Sequence, residues 1–316
     1  MKHTILLTAP YMLPFLDRFK PVLEGYGFDL IVPDVEERME EDDLLKYAGQ
    51  FDGTICGDDR YTARVIEACS PRLKVISKWG TGVDSIDASA CSRFNVILAR
   101  TLNAFTTPVS DTVLGYILAF ARRGPWMDAA MKRGEWEKIP GRTLSECTLG
   151  IIGIGNIGKA VTRRARAFGM KVLGTDIVDV DHVFIGESGI EMTDLGTLLS
   201  KSDFVSVNCD LNPTSRHLIN ADTLAKMKSA AILINTARGP IVDEKALVAA
   251  LSSGQVGGAA LDVFEFEPLP KDSPLLKMDN VMLAPHNSNS SPSAWERVHW
   301  NTIKNLVEGL GIELKG

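Results

Sequence analysis

The order of residues in this chain predicts an α/β protein with two doubly wound parallel-sheet domains. Three observations carry that reading. Residues 1–100 alternate short apolar runs with amphipathic stretches, a second such series runs from Thr148 to Pro285, and a glycine-rich turn opens the second series. Repeated βα units require crossover helices, and these cover both faces of a parallel sheet.

In the first series Thr4–Thr8 reads as a strand, Leu13–Tyr26 as a helix and Phe28–Val32 as a strand. Glu40–Ala48 is helical, Gly53–Cys56 and Lys74–Ser77 are short strands around the helix Ala63–Cys69, and Val96–Ala99 closes the series. Asn103–Pro108 is a polar break. Val109–Ala121 then reads as a helix that is apolar nearly all round, so its own domain or a second subunit must cover it. Gly124–Gly141 reads as an irregular arm whose Trp126 and Trp136 need somewhere to bury, which favours an arm laid across a partner subunit. In the second series the strands are Leu149–Ile152, Lys171–Thr175, Phe204–Asn208, Ala231–Asn235, Gly258–Val263 and Val281–Ala284. Ser293–Leu310 is one amphipathic helix.

Between the first two of those strands lies Gly153-Ile154-Gly155-Asn156-Ile157-Gly158, followed by a helical stretch from Lys159 to Phe168 and, past the second strand, by Asp176. Each part has a physical use in binding a dinucleotide. Gly153 permits the tight turn, Gly155 lets backbone approach a pyrophosphate, and Gly158 lets helix and strand pack closely. The helix N-terminus offers N–H groups to the anion. Asp176 is placed to accept hydrogen bonds from the adenosine ribose. Its charge would repel a 2′-phosphate, and Ile177-Val178-Asp179 supplies no cation, so NAD is expected over NADP.

Composition narrows the partners. The 316 residues suffice for two domains, and 45% hydrophobic with 23% charged residues is the balance of a globular protein. A net charge of −6 with no basic run argues against a nucleic-acid partner. Cys56, Cys69, Cys91, Cys147 and Cys209 form no CxxC pair, which fits a reducing cytoplasm, and the five dispersed histidines show no metal-site spacing. The first residues carry too short an apolar run for a signal peptide, and no segment approaches the ~20 apolar residues of a membrane span.

Ligands of open parallel sheets bind beyond the carboxyl ends of the strands. There the second series places Arg238, Asp262, Glu267 and His286. Arginine grips a carboxylate with two parallel hydrogen bonds and polarises a neighbouring oxygen. Histidine moves a proton near neutral pH, and a glutamate fixes its tautomer. This set suits hydride transfer at a carbinol carbon next to a carboxylate.

These residues stand in stretches similar to the D-isomer-specific 2-hydroxyacid dehydrogenase family, which includes phosphoglycerate dehydrogenases and glyoxylate/hydroxypyruvate reductases. The resemblance spans nearly the whole chain. It rests on the glycine turn, Asn235-Thr236-Ala237-Arg238-Gly239, Leu261-Asp262-Val263-Phe264-Glu265-Phe266-Glu267-Pro268, Ala284-Pro285-His286, and Lys78-Trp79-Gly80-Thr81-Gly82-Val83-Asp84-Ser85-Ile86-Asp87. It implies an NAD-dependent oxidoreductase interconverting a D-2-hydroxy acid and its 2-keto acid. Arg238 would anchor the substrate, His286 would be the acid/base and Glu267 its partner. Lys78, Gly80, Thr81 and Gly82 would form the loop that receives the carboxylate. Gly153, Gly155, Asn156, Ile157, Gly158 and Asp176 would hold NAD, with Asp262 and the backbone near Ala237 on the nicotinamide carboxamide.

The resemblance also implies a Rossmann NAD-binding domain, 104–287, inserted into a flavodoxin-like substrate domain, 1–103 with 288–316. A dimerisation helix and arm at 109–141 would build a homodimer, and no C-terminal regulatory domain is expected. Two stretches depart from the family pattern: Asn208-Cys209-Asp210-Leu211, where many members carry His-x-Pro-Leu, and Asn287-Ser288-Asn289-Ser290 after the histidine. Lys78, Arg60 and Arg100 are cations that a phosphorylated substrate would meet, but each reads first as an ordinary surface charge. A competing reading on the same fold is a corepressor that uses NADH to control assembly. Retention of Arg238, Glu267 and His286 together favours an enzyme.

Overall fold

The computed structural model describes residues 2–314, so positions 1, 315 and 316, which the expected domain limits include, lie outside the described residues. The chain divides into two compact units. One holds the residues up to Phe105 together with those from Ser291 onward, and the other is Thr106–Ser290.

The first unit is built on five parallel strands, β1 His3–Leu7, β2 Phe28–Ile31, β3 Gly53–Cys56, β4 Val75–Lys78 and β5 Ile97–Arg100, in the order β2-β1-β3-β4-β5. That is the flavodoxin-like order. Successive side chains of a strand point to opposite faces, and β1 shows the consequence. Ile5 and Leu7 pack with Phe19, Ile55 and Val75 in one apolar layer, while Leu6 joins Ile66, Ile76 and Tyr61 in the other. Burial on both faces explains why these strands read as unbroken apolar runs.

The last helix, Pro292–Gly309, closes the first of these layers. Ser291 caps it, with its hydroxyl accepting from the Ala294 amide, and Pro292 occupies the first turn, where no N–H is needed. Val298, Thr302 and Leu306, four residues apart, form its buried stripe, and Ser77 Oγ donates to the Thr302 carbonyl at 2.8 Å. His299 lies on the same face, 3% exposed. Its Nδ1 accepts from Trp79 Nε1 at 3.0 Å, and Trp79 in turn stacks on Tyr11 with ring centroids 4.8 Å apart.

The second unit has seven parallel strands: β6 Thr148–Ile152, β7 Lys171–Thr175, β8 Glu191–Met192, β9 Phe204–Val207, β10 Ile232–Asn235, β11 Gly258–Leu261 and β12 Val281–Leu283. Their order is β12-β11-β10-β9-β6-β7-β8, so the direction of winding reverses between β6 and β9. A crevice opens at such a switch point, beyond the carboxyl ends of the strands. Leu149 and Ile151 face the layer shared with Val113 and Ile117, whereas Ile152 and Leu233 face the opposite layer.

Several expected elements change. The helix Thr106–Arg122 is covered on one side by its own unit, since Val113, Leu114, Ile117 and Phe120 lie in the core with Ile151 and Ile234. The arm is not irregular throughout. Gly124–Lys132 is a helix, with a proline in its first turn, entered through a left-handed Arg123 at φ +55°. Trp126 packs on Phe120 with centroids 5.0 Å apart and donates to the Asp279 carbonyl, whereas Trp136 is 83% exposed. The expected helix Leu13–Tyr26 is a 3-10 turn, Leu13–Phe15, followed by an α-helix, Leu16–Gly25. A short helix, Ala88–Arg93, capped by Asp87, had no counterpart in the sequence reading. Among the described residues no helix is long and apolar enough to cross a membrane.

Burial lowers the pKa of His299, weakly opposed by the Glu296 carboxylate and reinforced by the Arg18 cation, so the fold favours the neutral imidazole. The sign follows from linkage. Stability is fully present above the ordinary histidine value of 6.5 and falls as pH drops below it, because the unfolded chain takes up the proton first. Urea midpoints measured from pH 7.5 to pH 5.5 should decline in the wild type, and His299→Leu should flatten part of that slope. At pH 7.5 the same variant should lose about 1–3 kcal/mol, because the buried Trp79 N–H is left without its acceptor. Equal slopes in the two proteins would contradict this role.

Candidate active site

The glycine turn sits at the switch point. Gly153 adopts φ +92°, and a Cβ built on it would lie 2.6 Å from the Cys209 amide nitrogen, so only glycine lets the β6 loop touch the end of β9. A Cβ on Gly158 would lie 2.1 Å from the Gly153 carbonyl oxygen. A Cβ on Gly155 would meet nothing within 4 Å. The middle glycine thus faces open space, as backbone approached by a ligand should. The helix begins inside the motif, at Asn156, with Gly155 as its cap, three residues earlier than expected. Gly155 and Asn156 are exposed and Ile157 is half-buried.

Asp176 follows β7 and holds this turn from the side. Its carboxylate accepts from the Ile154 amide at 2.6 Å and from the Val178 amide at 3.2 Å. Ile177 and Val178 beyond it are 80% and 66% exposed. Burial pushes the Cys209 thiol up to about 11, so the residue facing the glycine turn is uncharged at neutral pH.

At the ends of β9 and β10, Asn208 Oδ1 and Thr236 Oγ1 are buried without a hydrogen-bond partner. Asn208 directs its amide nitrogen at Ser206, whose carbonyl and hydroxyl both accept from it. Orphaned polar atoms of this kind call for a partner. Together with the space above Gly155 and the carboxylate of Asp176, they fit a dinucleotide laid along this edge.

Asn235 shapes the next turn by bonding around it. Its Nδ2 donates to the Arg238 carbonyl at 3.0 Å and its Oδ1 accepts from the Ala237 amide at 3.1 Å. Arg238 is half-buried and donates from a guanidinium nitrogen to the Ala237 carbonyl. A Cβ on Gly239 would fall 1.9 Å from the Phe264 carbonyl, which brings the Arg238 turn against the loop after β11.

Asp262 opens that loop and is 0% exposed. One carboxylate oxygen accepts from the Asn287 amide at 2.8 Å and the other from the Ser288 amide at 2.9 Å, while its backbone carbonyl accepts from the His286 amide at 2.7 Å. The direct partners of Asp262 are therefore the residues around His286. His286 is held at φ +50°, a left-handed conformation that a non-glycine residue keeps only when its surroundings impose it. In this position its Nδ1 lies 2.9 Å from Glu267 Oε2, and Glu267 Oε1 accepts from the Phe264 amide at 2.9 Å. Both side chains are about one-fifth exposed, so the pair is shielded yet reachable. The Asn287-Ser288 departure is thus part of the anchor, because these two residues supply the amides.

In the other unit, Lys78 ends β4 and the expected substrate loop follows it. Gly80 adopts φ +115° and its carbonyl accepts from the Thr101 amide at 2.8 Å. Thr81 donates its hydroxyl to the Thr101 carbonyl at 2.7 Å, and Arg100 donates to the Thr81 carbonyl at 3.1 Å. Gly82 is half-buried. Lys78 is not a surface charge: it is 4% exposed and its ammonium lies 3.0 Å from Asp58 Oδ1.

A glycine turn at the switch point of a parallel sheet, beside a buried loop that pairs histidine with glutamate, defines a nucleotide-dependent oxidoreductase of the doubly wound class. The pattern of the "D-isomer specific 2-hydroxyacid dehydrogenase, NAD binding domain" family matches residues 114–288, and the chain belongs to that family. It is similar to a glyoxylate reductase of Thermofilum pendens, 41% identical over 283 residues, covering 86% of this chain and 82% of that one. It is also similar to a D-3-phosphoglycerate dehydrogenase of Methanocaldococcus jannaschii, 39% identical over 265 residues, covering 83% of this chain and 50% of that one. Among solved structures, D-lactate dehydrogenase from Aquifex aeolicus, complexed with NAD and lactic acid, superposes with a TM-score of 0.86 at 27% identity, covering 98% and 95% of the two chains. The chain is thus an NAD-dependent enzyme of the D-2-hydroxyacid dehydrogenase family.

The sequence-based expectation that Asp176 receives the adenosine ribose hydroxyls sets a test of cofactor choice. NADH should be used in preference to NADPH. Asp176→Ala should narrow that preference by about 10- to 100-fold, the worth of a charge-assisted hydrogen bond. Specificity constants for both cofactors check this, and equal or better use of NADPH by the wild type would contradict it.

Proposed function

We propose that this enzyme interconverts a short 2-keto acid and its D-2-hydroxy acid, with His286 moving the proton, Glu267 orienting it and Arg238 gripping the substrate. The carrying observation is the 2.9 Å contact between His286 Nδ1 and Glu267, made on a loop that Asp262 pins. Bound NADH supplies the hydride for the carbonyl carbon. The rest is the work of side chains. Arg238 offers the carboxylate two parallel donors and polarises the reacting oxygen. With Nδ1 committed to Glu267, the proton that moves is on Nε2. The carboxylate of Glu267 stabilises the imidazolium and fixes the ring orientation. Glyoxylate and 3-phosphoglycerate, named in the two relatives above, both place a carboxylate next to the reacting carbon, and both fit this chemistry. The histidine–glutamate pair favours this reading over an NADH-sensing corepressor, which has no use for a proton donor.

Reduction needs the imidazolium and oxidation the neutral ring, so the two directions have opposite pH limbs. NADH oxidation with keto acid should fall as pH rises through the limb, and NAD reduction with hydroxy acid should increase. His286→Ala should remove both limbs and cost about 10²–10⁴-fold in kcat. Glu267→Gln should slow reduction more than oxidation, because the cation loses its counter-charge. Near-normal rates in His286→Ala in both directions would overturn the assignment.

We also propose a homodimer built on the arm after the helix Thr106–Arg122. Trp136 at 83% exposure and Met131 at 51% are large apolar groups without cover in the single chain. Sedimentation at micromolar concentration should give twice the 34.4 kDa chain mass, and Trp136→Glu should shift the population toward the monomer. A monomer at all concentrations would refute the dimer.

A further inference from the structure

We infer that His217 is a positioning residue: its bond to Glu265 clasps the Arg238 turn to the loop that carries Glu267, and so fixes the substrate grip relative to the proton-transfer pair. This rests on the reading above that Arg238, Glu267 and His286 perform the reaction.

Two glutamates of one loop each hold a histidine. Glu267 meets His286, and Glu265, two residues earlier, meets His217, whose Nε2 lies 2.5 Å from Glu265 Oε1. A carboxylate only accepts, so Nε2 of His217 carries the proton of that bond. His217, like His286, is held in the left-handed region at φ +50°, which a non-glycine residue keeps only under constraint. The constraint is visible at both of its backbone groups. Its amide donates to the Pro240 carbonyl at 2.9 Å, and its carbonyl accepts from Asn220 Nδ2 at 3.0 Å.

The clasp joins three loops. His217 lies after β9, Pro240 lies two residues past Arg238 after β10, and Glu265 lies after β11. Between Arg238 and Pro240, a Cβ on Gly239 would fall 1.9 Å from the Phe264 carbonyl and 2.5 Å from the Glu265 nitrogen, so the Arg238 turn rests on the peptide joining those two residues. The amide before that peptide, of Phe264, is the one that donates to Glu267 Oε1 at 2.9 Å. A tilt of this peptide therefore moves the Arg238 turn and Glu267 together.

Glu244, the first residue of the helix Glu244–Ser253, holds the same peptide more weakly. The Glu265 amide donates to Glu244 Oε2 and the Glu244 amide to Glu265 Oε2, both at 3.3 Å, beyond the usual range for such bonds. The exchange also brings two carboxylates together. Burial, and then the charge of Glu265, push the Glu244 carboxyl up against the pull of the Glu265 amide. The short His217 bond is the one that offsets this repulsion, which makes His217 the deciding member.

The test follows NADH oxidation with glyoxylate and with hydroxypyruvate in wild type, His217→Ala and His217→Gln. Both substitutions leave the same strained backbone, so the difference between them reads the bond. Gln places a donor nitrogen near the position of Nε2. His217→Ala should raise the keto-acid KM about tenfold and move the reduction limb to lower pH, as Arg238 and Glu267 shift from their places. NADH affinity, read by fluorescence, should stay within about twofold, and His217→Gln should restore most of the KM. Glu244→Ala loosens the other end of the clasp and should give the same split, with the double variant less than additive. It also serves if His217→Ala does not fold. Unchanged KM and pH limb in both alanine variants, or no rescue by Gln, overturns the inference while His286→Ala still abolishes turnover. A wild type that reduces neither acid, or near-normal rates in His286→Ala, brings down the reading beneath it, and the inference with it.

Discussion

The catalytic side of this fold depends on one buried carboxylate. Asp262 has no solvent to stabilise its charge, and an uncompensated buried charge costs several kcal/mol. The compensation comes from the amides of Asn287 and Ser288, at about 1.5–3 kcal/mol for each charge-assisted bond. Those two bonds, with the His286 amide on the Asp262 carbonyl, dictate the path of the chain after β12. The left-handed backbone of His286 is the consequence, and it turns the ring toward Glu267. Removing the carboxylate would take away two of the bonds that hold the chain beyond His286, leaving the backbone bond to the Asp262 carbonyl and the contact with Glu267.

A second constraint is the close approach of backbone at the switch point. Gly153 against Cys209, Gly158 against Gly153 and Gly239 against Phe264 are contacts that no side chain permits. They compress the loops after β6, β9, β10 and β11 onto one sheet edge. The polar atoms left over there, Asn208 Oδ1 and Thr236 Oγ1, are buried without protein partners, a cost that a fold keeps where a ligand is to supply the bond.

Much of this was legible in the residues, and the reason is local. Strand runs buried on both faces, the spacing of three glycines and the acid after the next strand are short-range patterns, and each has a short-range physical cause. The expected strands match the observed ones to within a residue or two for this reason. What escaped notice is what depends on distant partners. Lys78 reads as a surface charge because nothing in its neighbourhood of the sequence announces Asp58, twenty residues earlier. The stretch Gly124–Gly141 reads as an irregular arm, yet Pro125 suits the first turn of a helix and Trp126 has Phe120 to pack on. His299 reads as one more polar residue of an amphipathic helix until Trp79 is seen to donate to it across the unit. The Asn287-Ser288 pair looks like a departure because its contribution is made by backbone amides, which side-chain identity does not report.

The central claim is that this anchored loop commits His286 Nδ1 to Glu267 and directs proton transfer to Nε2. Nitrogen NMR of protein labelled at its histidine rings, with the His286 signals assigned by their loss in His286→Gln, reads the tautomer directly. The account predicts a neutral ring protonated at Nδ1 at high pH, with that proton shifted when Glu267 is replaced by Gln. A ring protonated at Nε2 and bare at Nδ1, with no response to the Glu267 substitution, would contradict it.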